Sequence, residues 1–165
     1  MKTIHGLQCF ELDLDDDWAL LDETEFDATS DTFAFYNARW DVRLCIYGER
    51  INAMGRDLLD LAHGMNAAVL SSIHTSVQAL GGAVWVDEQR GVGETLTSCE
   101  VDAIAEAAGP PGVQQRMLVA TVVNSVVAIY ARLESASLTT DALRPLWCSI
   151  RANLFLAEPI GFDGR

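Results

Sequence analysis

The stretch Met117–Leu133, MLVATVVNSVVAIYARL, constrains the fold more than any other. Seven of its residues are β-branched: Val119, Thr121, Val122, Val123, Val126, Val127 and Ile129. Such side chains are stiff at χ1 and fit a pleated surface better than a helix. Between the two apolar runs stands Asn124-Ser125. Asparagine tolerates positive φ, so this pair can close a two-residue turn. The stretch therefore predicts a β-hairpin, Met117–Val123 and Val126–Leu133. Both faces of the first strand are apolar, as in a central strand covered on two sides. In the second strand Val127, Ile129, Ala131 and Leu133 form one face, and Val126, Ala128 and Tyr130 the other. The rest of the chain has to cover this surface. Helices on opposite faces would absorb it, whereas helices on one face would leave the other exposed for a partner.

The remaining chain supplies further strands and two helices. Phe10–Asp15 alternates, with Phe10, Leu12 and Leu14 on one side, and Asp15-Asp16-Asp17 forms a turn. Trp18–Glu23 reads as a second strand and Glu25–Asp31 as a loop. Thr32–Tyr36 places Phe33 and Phe35 together, and Asn37-Ala38 turns the chain. In Arg39–Tyr47 the residues Trp40, Val42, Leu44 and Ile46 face inward. Phe33, Tyr36, Trp40, Leu44, Tyr47 and Ile51 also fall at helical spacing, but a helix there would merge with the next into one far longer than usual. Gly48 is expected to end the run. From Ile51 to Leu80 the period becomes helical, with Met54, Leu58, Leu61, Ala62, Met65, Val69 and Ile73 in one stripe and Gly81-Gly82 as the stop. Ala83–Val86 is a short strand, Gly91-Val-Gly93 a turn, Thr95–Ile104 a strand and Ala105–Gln114 a loop. After the hairpin, Thr139 or Thr140 caps a last helix carrying Leu143, Trp147, Ile150 and Leu154, with Pro145 near its start. Residues 158–165 read as a tail. The order is β-β-β-β, long α, β-β, hairpin, α: a single α+β domain over 1–165, with an antiparallel sheet, a long central helix and a C-terminal helix.

In this order the chain resembles a known family. FELDLDDDWALLDE (10–23) is similar to the opening of DcrB-like proteins, and FAFYN (33–37) with WDVRLCIYG (40–48) to their second hairpin. LLDLAHGMNAAVL (58–70), AVWV (83–86) and QQRMLVATVVNSVVAIYARL (114–133) follow in the same sequence, with the closing helix after them. The likeness spans about residues 8–157. One departure is Asp17, where those proteins usually carry proline before the tryptophan. The resemblance implies a PsbP-like α/β/α sandwich, a fold that is mostly non-enzymatic. Its members include envelope lipoproteins, a photosystem assembly subunit, a nuclear-transport accessory factor and Eag-type chaperones of type VI secretion effectors. The chaperone group, commonly dimeric, shields apolar effector segments.

Charge narrows the partners. The net charge is −13, and residues 1–31 hold ten Asp or Glu against one Lys. Nucleic acid and anionic membrane surfaces repel such a chain. MKTIHGLQCF is not a secretory leader, and no apolar run reaches membrane-spanning length, which predicts a cytoplasmic protein without membrane insertion. Cys9, Cys45, Cys99 and Cys148 are scattered, as buried thiols are.

No motif dictates chemistry. His63 and His74 share one side of a helix but stand about 16 Å apart, too far for one metal ion. Asp60-x-x-His63 lacks a second ligand pair. Gly91-Val-Gly93 has neither the lysine of a phosphate loop nor a third glycine. Cys45, near Arg43, has no basic partner identifiable from sequence, and Ser125 lacks a hydrolase elbow. Met54, Met65 and Met117 read as core. No catalytic residue, metal or cofactor is expected. The expected function is protein binding by a homodimeric chaperone or adaptor, through an apolar sheet face that includes Trp40, Val42, Leu44, Ile46, Val127, Ile129 and Tyr130. The partner would be an apolar segment of a secreted effector. The alternatives are an acidic immunity-type protein docking a basic toxin through residues 11–31, and an enzyme with a small-ligand pocket.

Overall fold

A computed structural model describes residues 1–6, 9–21, 25–26, 30–87, 92–94, 97–110 and 115–157. The described elements, in chain order, are β1 (Lys2–Gly6), β2 (Phe10–Leu14), β3 (Trp18–Leu20), β4 (Glu25–Phe26), β5 (Ser30–Asn37), β6 (Val42–Arg50), α1 (Leu58–Ala79), β7 (Ala83–Asp87), β8 (Val92–Glu94), β9 (Ser98–Ala108), β10 (Gln115–Asn124), β11 (Val127–Ser135), α2 (Thr140–Ala152) and β12 (Leu154–Leu156). The large antiparallel sheet runs β3-β5-β6-β11-β10-β9-β7, with β4 paired to β5 and β8 to β9. A small sheet runs β1-β2-β12.

The valine-rich runs pair as β10 and β11, with Leu118 opposite Leu133 and Val123 opposite Ala128. The turn lies one residue later than expected. Asn124 ends β10, and no positive φ occurs there. Its side chain closes the turn instead: Oδ1 accepts from the backbone N–H of Val126 (2.9 Å) and of Val127 (2.8 Å), while Nδ2 donates to the Ala157 carbonyl (3.0 Å). These bonds satisfy a buried amide and fix the hairpin register.

The helices cover opposite faces of the sheet. Leu118, Ala120 and Val122 of β10 meet Leu143, Trp147 and Ile150 of α2. On the other face, Val119 and Met117 pack with Ile73 of α1, and Val123 and Ala128 with Ala62. A Thr121 hydroxyl donates to Asn66 Oδ1 across this second interface at 3.1 Å, both residues being buried. The small sheet shares the α2 side. Phe10 meets Phe33 edge-on at 5.6 Å, and Leu12 and Leu14 join the same cluster.

Several boundaries differ from the expectation. Gly48 does not break its strand but lies inside β6. A Cβ there would come within 2.8 Å of Cys9 Cβ and 2.9 Å of Phe10 Cδ1, so glycine is what lets the small sheet cross β6. Trp40 sits in the β5–β6 turn, which Asp41 closes at φ 53°, rather than on the strand. Glu25–Phe26 forms a two-residue strand where a loop was expected, and β9 continues to Ala108 through part of an expected loop. The helical period begins before the helix does: Asp57 caps α1, its carboxylate accepting from the Asp60 N–H, and Met54 is 81% exposed. Leu80 and Gly81 end α1, Gly81 at φ 80°. Leu154 belongs to β12, not to the last helix, and Pro145 lies inside α2, which Thr139 caps. Strand β1 had no counterpart in the sequence reading. Val92–Glu94 pairs with β9, whereas Gly91 and residues 158–165 lie outside the described residues.

Candidate functional site: a groove beside the long helix

Where α1 sits follows from side-chain size. The β9 face beneath it presents Cys99, Val101, Ala103, Ala105 and Ala107, all buried, so the helix approaches closely. On β6 and β11 the same face presents Arg43, Cys45, Tyr47, Tyr130 and Arg132, all half-buried. Bulky and charged groups do not pack under an apolar helix flank, and α1 leaves that half of the sheet uncovered. A groove of about 930 Å³ results, open to solvent, between α1 and strands β5, β6 and β11.

Its helical wall is low. Gly64, Ala68 and Ser72 line it one turn apart, with Leu61, Met65 and Val69 beside them. A Cβ at Gly64 would have open space around it. The floor is a tyrosine pair. Tyr47 and Tyr130 are cross-strand partners with ring centroids 5.4 Å apart. Their hydroxyls both donate to Glu49, from Tyr47 at 2.7 Å and from Tyr130 at 3.5 Å. Burial, then the Glu49 carboxylate, then Tyr47 raise the Tyr130 phenol above its ordinary range, so it remains a donor.

The two ends of the groove carry different charged groups. At one, Arg132 Nε stands 2.9 Å from the buried carboxylate of Glu134, which Arg43 approaches at 3.8 Å. Two guanidiniums thus share one carboxylate. Arg132 also points an N–H toward Cys45 Sγ at 3.8 Å. At the other end, Asp57 and Asp60 line the wall with Arg56, and Glu49 stands behind the tyrosines.

The residues expected to form a binding face divide sharply. Val42, Leu44, Ile46, Val127 and Ile129 are buried under α2 and the small sheet, because their strand parity points them at that side. They build the core and present no surface. Trp40 is 42% exposed in its turn, with the Arg39 guanidinium 5.1 Å from its ring centroid. Of that set Tyr130 and Ile46 line the groove, Ile46 being almost fully buried. Cys148 is exposed on α2, unlike the buried thiols Cys9 and Cys99. Among the described residues no group of three or more His, Cys, Asp or Glu could hold a metal ion, and no helix is long and apolar enough to cross a membrane. Gly64 and Arg132 were not singled out from sequence. A lone glycine in a helical stripe and an arginine on an outward strand position carry no signal until the two elements are set side by side.

A second charged cluster lies under α2. Arg151 pairs with Glu100 at 2.7 Å, and the Asp102 carboxyl lies against Glu100 with its Oδ1 buried and unpartnered among the described residues. Burial first, then the Glu100 charge, raise Asp102 to about 7, against the opposing pull of Arg151 and Arg144.

Neither a family model nor a curated protein sequence matches the chain. Among solved structures it is similar to the solution structure of cyanobacterial PsbP (CyanoP) from Synechocystis sp. PCC 6803. The TM-score is 0.67 at 14% identity, over 90% of this chain and 86% of that one. The chain has a PsbP-like fold. At this identity the likeness carries the PsbP-like architecture and no activity.

Proposed function

We propose that the chain is a non-enzymatic binding module of the chaperone or adaptor kind, sheltering an apolar segment of a partner protein beside α1. The groove carries this reading: it is open, has an apolar flank and an aromatic floor, and is long enough for several residues of a helix or strand. The Eag-type chaperones that the sequence resembles likewise shield apolar segments of their effectors. The immunity-type alternative is less well supported. Several acids of the N-terminal region already have local partners: Asp16 the N-terminus at 3.2 Å, Asp17 Arg39 at 3.6 Å, and Glu11 His5 at 3.3 Å.

The test places a photo-reactive amino acid at position 72, in the groove, or at position 40, in the β5–β6 turn outside it, within the native host. Adducts from position 72 that disappear when Gly64→Leu fills the groove support the reading. Adducts from position 40 alone overturn it.

A further inference from the structure

The tyrosine pair lies where negative charge is left without a counter-ion. Cross-strand register sets the levels. Glu49 is opposite Ala128, which packs in the cluster of Ala62 on α1, and Tyr47 is opposite Tyr130 two residues along each strand. Asp60 therefore stands within about one helical turn of the level of Glu49, on the helical wall. Glu49 accepts from two tyrosine hydroxyls, both neutral, and among the described residues neither Glu49 nor Asp60 has an ion-pair partner. The Asp57 carboxylate is committed to the start of α1, where it accepts from the Asp60 N–H. Arg132 is already answered by Glu134 at 2.9 Å. What remains at this end is Glu49 and Asp60 against Arg56, beside two aromatic rings. The ring centroids of Tyr47 and Tyr130 are 5.4 Å apart with the planes at 39°. A cation ~4 Å above the midpoint would stand roughly 5 Å from each centroid, inside the ~6 Å over which an aromatic face attracts it.

Resting on the groove reading above, we infer that the apolar segment held there carries one basic side chain, a lysine ammonium or an arginine guanidinium, seated over the Tyr47–Tyr130 pair between Glu49 and Asp60. The ring quadrupoles attract the cation, and the hydroxyls that donate to Glu49 fix that carboxylate's charge behind the seat. Leu61 and Met65 give the alkyl stem of such a residue an apolar surface to lie along, and Gly64 leaves it room. An acidic residue at this position meets Glu49 and Asp60 with like charge. An uncharged one removes water from both carboxylates and returns nothing.

The experiment measures binding of amphipathic helical peptides to the intact protein by fluorescence anisotropy. Each peptide has one face of Leu and Ala and an opposite face of Gln and Ser. The first carries Lys at the centre of the apolar face, the second Gln there, and the third Glu there. The fourth keeps the central Gln and carries its Lys on the polar face, which controls for the general attraction of a cation to a chain of net charge −13. The first peptide is expected to bind about three- to tenfold more tightly than the second and the fourth, and the third more weakly than the second. In Glu49→Gln the ratio of first to second should fall toward one. Equal binding of the first and second peptides, or of the first and fourth, with each blocked by Gly64→Leu, overturns the cation inference and leaves the groove reading standing. Failure of all four to bind overturns both. The ratios are taken on the unaltered protein, so the comparison holds even if Glu49→Gln does not fold.

Discussion

Single side chains here do work that their residue type does not announce. Residue type marks Asn124 as a turn former for its tolerance of left-handed backbone, yet it acts through three hydrogen bonds of its buried amide. Replacing it with alanine strands two backbone N–H groups and one carbonyl. Asn124→Ala should cost about 2–3 kcal/mol in chemical denaturation, and Asn124→Asp less, because it keeps the acceptor. Asp102 makes the opposite contribution. Its carboxyl, raised to about 7 in the fold, holds its proton where the unfolded chain has released it. The folded state then binds more protons, so stability falls as pH rises from about 4 to about 7 and levels off above that. The full shift corresponds to about 4 kcal/mol, which solvent around a partly exposed group reduces to about 1–2 kcal/mol. Asp102→Asn should flatten that slope in denaturation midpoints measured between pH 4 and 8, leaving the variant more stable than the parent at pH 8.

At the scale of elements, glycine has two opposite roles. Gly48 is required by the crossing of the small sheet over β6, so Gly48→Ala should destabilise by about 1–3 kcal/mol through overpacking against Cys9 and Phe10. Gly64 has no such constraint. Gly64→Ala should raise stability by about 0.5–1 kcal/mol in thermal or denaturant unfolding, since alanine favours the helix and meets nothing. Which elements were legible follows from side-chain size and spacing. The valine-rich hairpin, Phe10–Leu14 and the α2 stripe announced themselves because large apolar residues repeat at one period. Strand β9 was expected only as far as Ile104: its inward set is mostly alanine, and Leu96 and Ile104 suggested a looser pattern than Cys99, Val101 and Ala103 provide. β1 was missed because Ile4 is its one large apolar residue, so no alternation marks it, and β12 because it is three residues long and is held by pairing with β2, far away in sequence. The binding face was misplaced for a related reason. Alternation tells which residues of β6 and β11 share a side, and it gave Val42, Leu44 and Ile46 correctly as one set. It does not tell which side a second layer will cover. That depended on a small sheet built from both ends of the chain.

For the molecule as a whole, the layered architecture explains why an apolar surplus ends as a groove instead of a bare face. Opposite helices absorb most of it, and the offset of α1 toward the alanines of β9 leaves the remainder beside Tyr47 and Tyr130. An occupant should then protect one thiol selectively. Cys45 lines the groove, and Cys148 is exposed on the far helix. Alkylation followed by mass spectrometry should show Cys45 modified several-fold more slowly when an apolar helical peptide is bound in the groove, with Cys148 unchanged. Equal slowing at both would place the occupant elsewhere.

The three-stranded layer has a further bearing on how the chain acquires this shape. β2 finds one of its two neighbours, β12, only after nearly every other element has been made, Leu12 pairing with Leu154. During synthesis the greasy side of Phe10, Leu12 and Leu14 must wait for the last helix and its trailing strand to emerge from the ribosome. Closure across so long a loop is slow, and the interval before it is when a nascent copy of this protein is most exposed to aggregation.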